Sequence, residues 1–162
     1  MKKKLTALLA AVMIFALNLS AFAAPSVTTV TADKTGATQT AAALADGVSV
    51  KSTGIVINGV AKTVTPVVKS VSAATVTSAQ TAAKSLVSAN ANLLKLIDVS
   101  LPVSFTSAKI TFDVSGVKAG QKVNVLHQKA DGTWEKIANV VVGDGTVTAT
   151  FTSLSPIAFV AY

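Results

Sequence analysis

The stretch GDGTVTATFTSLSPIAFVAY, residues 143–162, decides how the rest of the chain is read. Val147, Ala149 and Phe151 alternate with Thr146, Thr148, Thr150 and Thr152. That two-residue period belongs to a strand with one face in a core and the other in water. The pattern breaks at Ser155-Pro156 and resumes as the uncharged run PIAFVAY. Proline has no N–H to donate, so Pro156 suits the first position of a strand. Such a tail could be a membrane anchor, a strand donated to another copy, or the last piece of a folded sheet. Its four threonines and short apolar runs fall short of the about 20 residues that a helical span needs. The expectation is therefore a folded tail, with Val147, Ala149 and Phe151 inward and a final strand from Ile157.

Working back from this segment, β patterns recur at intervals of about 8–12 residues, the spacing of an antiparallel sandwich. Gly143, Asp144 and Gly145 turn one hairpin, and Asp131-Gly132 turns another inside KVNVLHQKADGTWEKI. AKITFDV places Ile110, Phe112 and Val114 on one face, and LLKLIDVSL reads as a further strand before Pro102. Asn58-Gly59 lies between two β-branched runs and tolerates the positive φ angles of a tight hairpin turn. Pro66 is placed near the end of the return strand. SVTTVTA, residues 26–32, also reads as a strand.

Two segments carry helical spacing. Ala37, Ala41 and Leu44 stand at i, i+4 and i+7, with Thr35 as cap and Gly47 as stop. TSAQTAAKSLVSANAN predicts a helix over about 77–91, opened by a Thr77/Gln80 capping box and ended at Asn90 or Asn92. Its expected inward face is Ala79, Ala82, Ala83, Leu86, Val87 and Asn90. The fold class is thus mainly β: an Ig-like antiparallel β-sandwich with one or two helices in the N-terminal half. Residues 24–92 form an α+β portion and residues 93–162 the sandwich module.

The strand Val125-Leu126-His127, the turn residues Asp131, Gly132, Trp134 and Glu135, and the ending TATFTSLSP carry a resemblance. Residues 93–162 resemble a β-sandwich module of exported and surface proteins of Gram-positive gut bacteria. The resemblance implies a surface setting and brings no catalytic signature.

The opposite end supplies an address. MKKKLTALLAAVMIFALNLSAFAA has Lys2, Lys3 and Lys4, an apolar run over residues 5–17, and small residues at Ala21 and Ala23. This is the pattern of a secretory signal peptide over residues 1–23, with cleavage expected between Ala23 and Ala24. Three of the fourteen lysines leave with it, so eleven lysines face seven acids, a net charge of +4. The expected place is secreted or loosely held at a bacterial cell surface, with no membrane span after cleavage.

Composition removes whole chemistries. The chain has no cysteine, which excludes disulfides, thiol catalysis and cysteine metal sites. It has no arginine, and its lysines are scattered, so nucleic acid is not an expected partner. His127 is the lone histidine and shares strand parity with Val123 and Val125. It reads as a packed residue whose ring nitrogens are satisfied locally, and no G-x-S-x-G accompanies it. Of the carboxylates Asp113, Asp131, Glu135 and Asp144, two precede glycine in turns, where Asp serves turn geometry. No catalytic, cofactor or metal residue is assigned.

Trp134 reads first as a cover for the edge of the core, and it is the one candidate contact residue, because a lone indole beside a turn can also stack on a sugar ring or anchor a partner. The expected function is non-enzymatic binding or structure, toward a cell-wall polymer, a glycan or another surface protein. A subunit that self-assembles by strand exchange and a small secreted hydrolase are the alternatives.

Overall fold

The structure is a computed structural model and describes residues 39–162. The signal segment, Ala23 and Ala24, the strand at 26–32, Thr35 and Ala37 lie outside the described residues.

The expected antiparallel β-sandwich is present. The first sheet contains β1 (Val48–Val50), β2 (Ile55–Ile57), β3 (Val60–Lys62), β6 (Ala108–Val114), β9 (Val141–Gly143) and β10 (Thr146–Phe151). Its order is β3-β2-β6-β10-β9, with β1 also paired to β6. The second holds β4 (Val67–Lys69), β5 (Asn92–Ser100), β7 (Val123–Gln128), β8 (Trp134–Lys136) and β11 (Pro156–Ala161). Its order is β4-β5-β11-β7-β8. The strands of residues 48–69 thus join both sheets of the sandwich built from the later residues.

Between the sheets, Ile110, Phe112, Val114, Val147, Ala149 and Phe151 meet Ile97, Val99, Val125, Ile157 and Phe159. Phe112 holds the centre, edge-on to Phe151 at 6.0 Å and to Phe159 at 5.2 Å, so one ring ties the two sheets together. Edge-to-face contact suits the ring quadrupoles and adds to the area buried. The outer face of the second sheet is covered by α1 (Ala41–Ala45) and α2 (Ala73–Leu86). There Leu44, Val76, Ala79 and Ala83 pack on Leu93, Leu96, Leu126, Ala158 and Val160.

The tail behaves as its pattern predicts. Val147, Ala149 and Phe151 are buried, and Ile157, Ala158, Phe159 and Val160 are buried after the break. β11 pairs with β5 on one side and β7 on the other, within its own chain. It runs between two covered faces, which is why its apolar run is continuous where β10 alternates.

Asn58 and Gly59 turn β2 into β3 with φ of 50° and 81°, as a two-residue hairpin demands. The Asn58 carboxamide oxygen also accepts from the Thr106 and Ser107 N–H groups at 2.9 and 3.0 Å, fixing the hairpin to the lead-in of β6.

Three local expectations are corrected. The first helix is capped by Thr40, whose hydroxyl accepts from Ala43 N–H, so it begins at Ala41. The second begins at Ala73, with Ser72 accepting from Thr75 N–H at 3.1 Å. Thr77 lies inside that helix and returns its hydroxyl to the Ala73 carbonyl. Val71 and Val76, on either side of the cap, both pack into the helix-side core and act as a hydrophobic staple, which selects Ser72 over Thr77. This helix turns Val76, Ala79 and Ala83 inward and ends at Val87, leaving Leu86 41% exposed. Asn90 lies beyond it, and Asn92 already belongs to β5. Pro66 does not close β3, which ends at Lys62; it stands just before β4, where the chain has crossed to the second sheet.

Candidate functional site

β8 is an edge strand, and its alternation sends neighbouring side chains to opposite faces of the second sheet. Trp134 and Glu135 therefore belong to two different environments.

Trp134 lies on the helix side. Its register partner is Gln128, and its indole packs, half-buried, against the cluster under α2. The indole N–H donates to the Ser78 hydroxyl at 2.7 Å, locking the ring at one angle to the helix. Ring and helix enclose an open groove of about 400 Å³ lined by Ser78, Thr81, Ala82, Ser85, Leu86 and Trp134. Trp134 thus has two contacts the sequence did not reveal together: a hydrogen bond 56 residues away and a groove wall. It does not belong to the inter-sheet core with Phe112 and Phe151. The helical members recur at i, i+3, i+4, i+7 and i+8, one stripe of α2 beside its buried face. That recurrence of small and hydroxyl residues was the available signal, but nothing local says that an indole stands opposite it.

The hydroxyls are not equivalent. The Thr81 hydroxyl donates to the Thr77 carbonyl at 3.0 Å, so toward the groove it can only accept. Ser78 accepts from the indole and keeps its own proton to donate. Ser85 is exposed on the rim. No lining residue carries a charge.

On the other face, His127 is 1% exposed, pointing toward Phe151 with ring centres 5.9 Å apart. Its Nδ1 is 3.2 Å from Glu135 Oε1, and its Nε2 is 3.0 Å from Ser155 Oγ. The Ser155 hydroxyl also contacts the Gln128 carbonyl. Both ring nitrogens face polar partners, as its packed position implied, and the contacts tie β7, β8 and the entry to β11 together. The Asp131-Gly132 hairpin sets Glu135 opposite His127, whereas Ser155, from a separate element, was not identifiable as a partner.

No family model, curated protein or solved structure matches the chain. The site rests on its own geometry.

The other three carboxylates singled out in the sequence, Asp113, Asp131 and Asp144, each have a partner. Asp113 faces Lys51 at 3.6 Å, and Asp144 faces Lys118 at 3.6 Å. Asp131 accepts from the Thr133 hydroxyl at 2.6 Å and its N–H at 2.9 Å. Those bonds, the hydroxyl first, hold its carboxyl below the usual range. A carboxyl lowered in this way favours the folded state above its unfolded range and loses that contribution as pH falls. Among the described residues, no group of three His, Cys, Asp or Glu side chains could hold a metal ion. No described helix is long and apolar enough to cross a membrane.

Proposed function

We propose that the protein is an exported, non-enzymatic binding module of the bacterial cell surface, with the Trp134 groove as its contact site. The observation that carries this reading is the indole locked by Ser78 against an uncharged, open groove. A ring immobilised in advance loses little conformational freedom on binding, which favours its use as an anchor. The lysine-led apolar start supports export, and intact-mass measurement of secreted protein is expected to give Ala24 as first residue.

The test is sedimentation with purified Gram-positive cell walls. The wild type is expected to co-sediment, and Ser85→Lys to remain in solution. Ser85 is an exposed helical position where lysine is well tolerated, so the fold is preserved while a charge enters the groove. Equal sedimentation of both proteins would overturn the groove as the contact site.

A second reading, a small hydrolase, is favoured by one observation. Ser155, His127 and Glu135 touch in the order of nucleophile, base and orienting acid. The Gln128 carbonyl, however, can only accept, so it competes for the hydroxyl proton that His127 would have to take. The near-complete burial of the imidazole also favours a structural clasp. A fluorophosphonate probe is expected to leave Ser155 unlabelled. Labelling that disappears in Ser155→Ala would establish the hydrolase instead.

A further inference from the structure

We infer that the groove takes a neutral saccharide, with the apolar face of one sugar ring on the Trp134 indole. The inference rests on the binding-module reading above and narrows it to a ligand class.

Three properties of the lining select that class. First, Trp134 and Leu86 offer apolar surface on opposite members of the groove, the indole on β8 and the leucine near the end of α2. A flat ring with C–H groups on one face can cover an indole. Second, the hydroxyls form a mixed set: Ser78 with a proton to donate, Thr81 with lone pairs only, and Ser85 exposed to do either. A sugar hydroxyl can donate and accept, so it answers every member. A purely apolar peptide side chain would cover these groups without pairing them, and unpaired polar groups weaken binding. Third, the lining has no charge with which to compensate an anionic or cationic group. Desolvating a charged ligand there would go unrepaid, which disfavours anionic wall polymers as the occupant. A volume of about 400 Å³ lies within the range of small-molecule sites.

Trp134 is the only tryptophan, so its emission reports this groove directly. Full-length mature protein would be titrated with cellohexaose and chitohexaose as neutral probes, poly-glutamate as an anionic probe, and a leucine-rich amphipathic peptide. Saturable change in Trp134 emission with at least one neutral hexasaccharide is expected, weakened about tenfold or more by Ser85→Lys. Poly-glutamate and the peptide are expected to give no saturable change. A response to the peptide or poly-glutamate alone, or to none of the probes, overturns the inference.

Competition separates this failure from failure of the broader reading. If walls are bound and Ser85→Lys abolishes that binding, yet the hexasaccharides do not compete, the groove is a contact site for something other than a neutral sugar. If wall binding is unchanged in Ser85→Lys, the groove reading itself has failed. Trp134→Phe, which keeps an aromatic face, is expected to retain part of the wall binding that Trp134→Ala loses. Circular dichroism of both variants distinguishes lost stacking from lost fold.

Discussion

A chain ending at Ser155 is expected not to fold. Residues 156–162 contain Ile157, Ala158, Phe159 and Val160, all fully buried, and they supply the central strand of the second sheet. Their removal uncovers the ladder edges of both β5 and β7 and empties the position of Phe159 beside Phe112. Burial of a large apolar side chain is worth about 1.5–3 kcal/mol, and loss of a core Phe alone costs about 3–5 kcal/mol. With two unpaired edges added, the loss exceeds most of a typical margin of about 5–15 kcal/mol. Circular dichroism and sizing chromatography of the truncated protein should show an unfolded or aggregated chain. A folded, monomeric truncation beside a full-length protein that forms chains would make β11 a donor strand and the protein an assembler.

Phe151→Ala is expected to destabilise by about 3–5 kcal/mol. Phe151 is 1% exposed and lies between the Phe112 ring at 6.0 Å and the His127 imidazole at 5.9 Å. Its loss opens a cavity where the inter-sheet core meets the His127 contacts, and neighbours in a sandwich cannot collapse freely into it. Thr150→Ala, one residue away on the solvent face, should stay within about 0.5 kcal/mol. Urea titrations of the two variants test the pair. Equal midpoints for both would show that the inward face of β10 has been misassigned.

What the sequence made legible, and what it hid, follows from the range over which each signal acts. The β10 alternation was readable because the first sheet presents one face to solvent, so each residue declares its side. Asn58-Gly59 and Asp131-Gly132 were readable because positive φ is a local demand that few residues meet; Asn58, Gly59 and Gly132 all adopt it. The start of α2 was not, because Ser72 and Thr77 are both competent caps and only the packing of Val71 and Val76 decides between them. Its inward face was blurred by alanines on two adjoining stripes, which differ little in hydrophobicity. Trp134 could be singled out as a residue, but its groove could not, since the opposite wall lies 48–56 residues earlier in the chain. The Ser155–His127 contact was equally hidden, since it joins the entry of β11 to β7 across 28 residues.

The place of β11 has a consequence in time as well as in space. It is the last element in chain order, yet it is the middle strand of its sheet, joining β5 to β7. While the chain is being made, β5 and β7 therefore exist as separate edges with nothing to connect them. Synthesis at about 5–20 residues per second leaves that gap open for seconds, and the second sheet closes only when residues 156–161 arrive. A sheet completed by its final strand resists premature closure.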